Sequence, residues 1–171
     1  MTREESITFY KAHARRLYNT SLRIVRDSGE AEEIMQDTIL KFISSDIAPK
    51  DQAQVAMWLS RTCIRKSIDA VRRKKRERLF LDEYAADASE YDSDTPFELP
   101  GTMAAVAQVR KAIEELPDNY RLVLSLVLLE GLDYEEIANL TGEREGTIRT
   151  QYSRGRVKLA EKLKKYEYDR L

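Results

Sequence analysis

Residues 132–156 read LDYEEIANLTGEREGTIRTQYSRGR, and their spacing is that of two short helices meeting at a glycine turn. Asp133 stands where a side chain caps a helix N-terminus, with Glu136 three residues on to complete a capping box. Leu132 and Ile137 sit at the positions of a hydrophobic staple. Ile137, Ala138 and Leu140 supply a short apolar face, and Gly142 ends the helix with a residue free to take positive φ. A second helix is expected to start near Glu145, with Arg149, Arg154 and Arg156 in its early turns. In a helix-turn-helix the second helix enters the DNA major groove and offers its N-terminal residues to base edges. The stretch therefore predicts a nucleic-acid reader.

Charge is arranged to match. The formal net charge is only −1, so affinity for a polyanion must come from segregated charge. Residues 61–78 hold nine Lys or Arg against two acids, Asp69 and Glu77. Residues 79–100 hold seven Asp or Glu and no base. One cysteine excludes an internal disulfide and fits a reducing compartment. The opening MTREESITFYKAHARR lacks an apolar signal core, and no later stretch approaches a membrane span. A cytoplasmic protein is the expectation.

Working outward, the remaining apolar residues recur at helical spacing and none alternates as a strand. Ile7, Tyr10, Ala14, Leu17, Tyr18, Ser21, Ile24 and Val25 form a first stripe, which Gly29 is expected to break. Ala31, Ile34, Met35, Thr38, Ile39 and Phe42 form a second. Residues 44–51, with Pro49 among them, read as a loop. A third helix is expected from about Gln52, carrying Trp58 and Leu59 early and Val71 late. Nearer the quoted stretch, Met103, Val106, Val109 and Ile113 make another stripe, and Pro117 suits the first turn of the next helix. Residues 121–129 are so apolar that they must be buried, and Gly131 ends that helix. The fold expected is all-α. A helical domain at 1–78 is joined by a flexible acidic linker, 79–100, to a four-helix domain at 101–171 containing the helix-turn-helix. Leu79, Phe80, Leu81, Tyr84 and Phe97 make the linker more apolar than a passive tether, which suggests docking on a partner.

Three motifs in this order resemble the extracytoplasmic-function (ECF) sigma factors of bacterial RNA polymerase, over roughly residues 5–164. EAEEIMQDTILKFI, beginning at Glu30, is similar to the helix that binds core polymerase. MWLSRTCIRKSIDAVRRKKR, beginning at Met57, resembles the Trp-Leu helix that opens and reads the minus-ten element. ELPDNYRLVLSLVLLEGLDYEEIANLTG followed by GTIRTQYSRGRVKL is similar to the domain that reads the minus-thirty-five element.

The resemblance implies roles position by position. Ile34, Gln36, Asp37 and Leu40 would face core polymerase, with Ile34 and Ile39 equally readable as bundle core. Arg61, Arg65, Lys66, Arg72 and Arg73 would line the non-template strand of the minus-ten element, where lysine and arginine neutralise phosphates. Trp58 reads as core rather than as a stacking platform. The family commonly has Asn-x-Ala-x-Asp where this chain has Arg65, Ser67 and Asp69, so only Asp69 persists. Arg144, Thr147, Arg149, Thr150, Ser153, Arg154 and Arg156 would meet the minus-thirty-five duplex. Arg149 and Arg154 suit guanine, and Arg156 and Lys158 suit phosphate. Arg144 replaces the small capping residue of many relatives, so either the helix starts less cleanly or Arg144 touches phosphate. Ile148 and Leu159 read as core, and Tyr152 as buried.

The partners implied are core RNA polymerase, promoter DNA and an anti-sigma factor, possibly membrane-associated, that clamps both DNA-facing domains. The alternative is a conventional helix-turn-helix regulator acting without polymerase, against which the N-terminal half argues by lacking the βα alternation of a receiver domain. An enzyme is not expected: there is one His (His13), one Cys (Cys63), no metal-ligand cluster and no phosphate loop. Cys63 reads as a small core residue and His13 as a surface or half-buried one. No cofactor or metal is expected. Glu32, Glu33 and Asp37 read as a solvated helix face. A purely structural adaptor leaves both basic elements unexplained.

Overall fold

The computed structural model describes residues 1–46, 51–79 and 103–169, and every regular element among them is helical. The chain divides into two units, Met1–Tyr84 and Ala85–Leu171. The expected linker, 79–100, lies outside the described residues except for Leu79, as does the part of the expected loop at 47–50.

The first unit holds α1 (Arg3–Val25), α2 (Ser28–Ile43) and α3 (Gln52–Leu79). A capping box opens α1. The Glu5 N–H donates to Thr2 Oγ1 at 3.2 Å, and the Thr2 N–H donates to Glu5 Oε2 at 2.7 Å. The helix ends not at Gly29 but at Arg26, which takes φ 58 and donates its N–H to the Leu22 carbonyl. Asp27 then caps α2 by accepting the Glu30 N–H at 2.8 Å. Gly29 lies inside the first turn of α2, where a capped helix tolerates it. The break is set by the cap, and the glycine only follows it.

All six residues of the second stripe are buried. The first stripe turns as it runs toward the N-terminus. Leu17 and Ile24 are buried, while Ile7 and Tyr10 are exposed, and His13 and Phe9 take the inward line one and two turns before Leu17. Phe9 stacks on Phe42 at 4.9 Å, and Trp58 tilts against the other side of Phe42 at 5.5 Å. Trp58 is thus half-buried packing for the core of Leu17, Ile34, Met35, Ile39, Phe42, Leu59, Cys63 and Ala70. Each large apolar side chain so buried contributes about 1.5–3 kcal/mol. Cys63 is fully buried, with Sγ 3.4 Å from the Leu17 carbonyl. Small side chains bring α1 and α3 together, Ser67 Oγ lying 2.9 Å from Ser21 Oγ.

The second unit holds α4 (Met103–Glu114), α5 (Asp118–Leu124), α6 (Tyr134–Thr141) and α7 (Glu145–Tyr168). Val109, Ala112, Ile113, Leu116, Leu124 and Leu159 form its core. Val106 is exposed, and Pro117 occupies the cap position just before α5 rather than its first turn. After α5 the chain widens into a π turn, Ser125–Leu129, in which the Glu130 N–H reaches the Ser125 carbonyl five residues back. Gly131, at φ 71, ends the run as expected. Arg121 is buried inside this apolar stretch, with Nη1 3.0 Å from Asp118 Oδ1. Among the described residues no helix is long and apolar enough to cross a membrane.

Candidate nucleic-acid interfaces

The helix-turn-helix forms as its sequence predicts. The Glu136 N–H donates to Asp133 Oδ1 at 2.8 Å and the Asp133 N–H donates to Glu136 Oε2 at 3.2 Å, closing the capping box on α6. Gly142, at φ 71, stops the helix and donates to the Ala138 carbonyl. Three residues later, at Glu145, α7 begins. Arg144 holds the cap position with extended backbone and no side-chain cap bond, its carbonyl receiving the N–H groups of Thr147 and Ile148.

One side of α7 is packed and the other is open. Ile148, Gly155 and Leu159 face inward and are buried. At 100° per residue, Gly146, Thr150 and Ser153 fall on the opposite face, with Arg149 and Arg154 at its two edges. Arg144, Thr147, Arg149 and Thr150 are exposed, while Ser153, Arg154 and Arg156 are half-buried. Gly155 is what lets α7 approach so closely. A Cβ there would lie 3.1 Å from Leu124 Cδ1 and 3.2 Å from Tyr120 Cβ, tighter than ordinary contact. Lys158, expected at phosphate, sits with Nζ 5.7 Å from the Tyr120 ring centre.

Arg149 is already engaged. Its Nη2 donates to Glu145 Oε1 at 2.7 Å, one helical turn back. Its guanidinium carbon lies 5.3 Å from the centre of the Tyr134 ring, which comes from the first residue of α6. Tyr152 is half-buried rather than fully buried and tilts against Tyr134 at 5.7 Å. Burial, with Tyr134 beside it, holds the Tyr152 phenol above its ordinary pKa. The Glu145–Arg149 pair was legible as an i,i+4 pair; the Tyr134 contact depends on how two helices meet and had no sequence signal.

On the first unit the basic residues of α3 separate into groups. Arg61, Arg65 and Lys66 line one shallow depression together with Lys41, Met57 and Trp58. Arg72 lines a second with Lys75 and Arg76, and Asp69 borders both. Arg73 does not join them: it lies 3.7 Å from Glu30, which also holds Lys74 at 2.6 Å. Lys41 was not singled out by the sequence because it enters the depression only once α2 packs on α3; Met57, one turn before Arg61 on α3, was legible from spacing.

The face expected to meet polymerase is partly corrected. Gln36, Asp37 and Leu40 are exposed, Leu40 by 62%. Ile34 is 8% exposed and sits in the core, because the stripe it belongs to is the one α2 turns inward. Gln36 donates to Glu32 Oε1 at 3.2 Å, and Asp37 pairs with Lys66 at 3.3 Å. Among the described residues no three His, Cys, Asp or Glu side chains gather as a metal ion requires.

Among the described residues every regular element is helical, with a helix-turn-helix in one unit and a basic, aromatic-edged depression in the other, an arrangement that suits DNA contact by both. Comparison with known families narrows this. Residues 9–77 match the model for Sigma-70 region 2 and residues 107–159 the model for Sigma-70, region 4. The chain is 28% identical over 156 residues to "ECF RNA polymerase sigma factor SigE" of Mycolicibacterium smegmatis, across 91% of this chain and 60% of that protein. It is 27% identical to "RNA polymerase sigma factor SigV" of Bacillus subtilis, across 86% of this chain and 84% of that one. In fold it is similar to the sigma factor RpoE of Bartonella quintana, solved in complex with the anti-sigma factor NepR. The TM-score is 0.56 at 21% identity, covering 94% of this chain and 98% of that one. The chain belongs to the ECF sigma factors.

Proposed function

We propose that this chain binds core RNA polymerase through α2 and directs it to promoters by reading two DNA elements. The observation that carries the reading is the outward face of α7. It turns Arg149, Thr150 and Ser153 away from the core that fixes the helix on α4, α5 and α6. In a major groove these side chains meet base edges, and an arginine bidentate to guanine O6 and N7 gives about 1–3 kcal/mol of discrimination. Arg154, on the other edge of that face, suits a base as Arg149 does, and Arg144, Thr147 and Arg156 suit phosphate contacts that fix register.

The depression of Arg61, Arg65 and Lys66 takes the single-stranded non-template strand of the minus-ten element, with Trp58 at its edge and Arg72 continuing the basic track. Arg73 is drawn away by Glu30 and plays a smaller part. Leu40, Asp37 and Gln36 supply the surface for core polymerase. RNA synthesis itself is the polymerase's chemistry, and the chain works in the cytoplasm. Residues 79–100 connect the two readers, and an anti-sigma factor holds the chain inactive by covering both DNA faces.

Two variants test the assignment by failing differently. Leu40→Asp is expected to abolish assembly with core polymerase. Arg149→Ala is expected to assemble normally and to lose base preference at a single upstream position. Equal loss by Arg149→Ala on every promoter would contradict direct readout.

A further inference from the structure

Arg149 does not stand alone on the reading face: its edge is bonded to Glu145 and its plane lies near the ring of Tyr134. Tyr134 is not on the recognition helix. It is the first residue of α6, a position fixed by the αL turn at Gly131 and the Asp133–Glu136 capping box. Tyr152, from α7, backs the same ring at 5.7 Å, so Tyr134 is braced by the helix it serves. Arg149 nonetheless keeps a side-chain exposure of 63%, and Glu145 takes one of its five N–H donors.

We propose that Tyr134 is a specificity-determining positioning residue, the platform that holds the Arg149 guanidinium ready for one base of the upstream promoter element. This rests on the reading of α7 as the helix that enters the DNA groove. A long arginine side chain loses much rotamer freedom when it forms a bidentate contact, and a planar guanidinium already laid on a ring loses less. The advantage accrues only where both hydrogen bonds form, on the preferred base. The platform therefore sharpens discrimination, whereas an arginine on phosphate would raise affinity for every sequence alike. Glu145 contributes by restraining the guanidinium edge, and its own charge in the groove disfavours loose phosphate binding.

The test uses holoenzyme reconstituted from the full chain and core polymerase, transcribing a promoter set randomised in the upstream block. Tyr134→Leu is expected to lower discrimination by about two- to fivefold at the one position that Arg149→Ala also relaxes, the size of an exposed cation–π contact. Tyr134→Phe keeps the ring and should restore it. In an Arg149→Ala background, Tyr134→Leu should have no further effect at that position, since the two act as one unit. Thermal melting of each variant separates a loss of fold from a loss of reading. Discrimination unchanged in Tyr134→Leu, or lowered alike at all positions, or failing to return in Tyr134→Phe, would overturn the platform. Should Arg149→Ala itself leave promoter choice untouched, the assignment of α7 fails instead, and the two failures are distinguishable.

Discussion

Arg149 and Leu40 are both exposed, and each is exposed for a reason that its neighbours supply. Arg149 lies one 100° step from the buried line of Ile148, Gly155 and Leu159, so the packing of α7 turns it outward. Leu40 is one residue from Ile39, and the 100° step that buries Ile39 at 1% leaves Leu40 at 62%. Ile34 falls on the buried side of the same helix. Ile34→Ala should therefore destabilise the first unit by about 2–5 kcal/mol, the usual loss for a truncated core isoleucine. Leu40→Ala should change stability by no more than about 0.5 kcal/mol while weakening assembly with polymerase. Denaturant melts beside a core-binding titration check both. The sequence carried the identity of these residues but not the sorting of Ile34 from Leu40, because a motif names positions and only the packed helix assigns them sides.

At the scale of elements, α7 is held at its middle and near its end. At its middle Gly155 lets the helix press on α5, where Leu124 is fully buried and has little room to yield. Gly155→Val should cost about 1–3 kcal/mol through overpacking, read as a lowered melting temperature. Near its end, Tyr166 donates its hydroxyl to Glu115 Oε2 at 2.6 Å, and Lys162 lies 3.3 Å from the same oxygen, clasping α7 to α4. The bond pushes the Tyr166 phenol up to about 12 and holds the Glu115 carboxyl below its ordinary value. The signs are opposite. Tyr166 stabilises fully below its unfolded value near 10 and loses that contribution as pH rises toward 12. Glu115 stabilises above 4.5 and loses its contribution as pH falls through its depressed value. Tyr166→Phe should flatten the pH dependence of stability at both ends, measured by melting across pH. Capping boxes and stripes were legible because they depend on spacing within one helix. The Arg26 stop, the π turn and this clasp were not, since each depends on tertiary contacts that override local propensity.

The whole molecule joins two readers whose charges the net value conceals. A chain at −1 overall concentrates many of its basic residues on α3 and α7, so promoter affinity should fall steeply with salt, while polymerase assembly, if it rests on Leu40 and its polar neighbours as proposed, should fall less. This segregation was plain in the sequence, as was the order of motifs. How α3 divides its cations between two depressions and Glu30 was not, because Glu30 and Lys41, which draw that division, arrive from α2. The most direct measurement is genome-wide mapping of transcription starts made by purified core RNA polymerase on fragmented bacterial DNA, with and without the chain. The account predicts new starts that share one upstream motif in two blocks. No new starts, with the chain still shifting duplex DNA by itself, would contradict it and leave a helix-turn-helix regulator that works without polymerase.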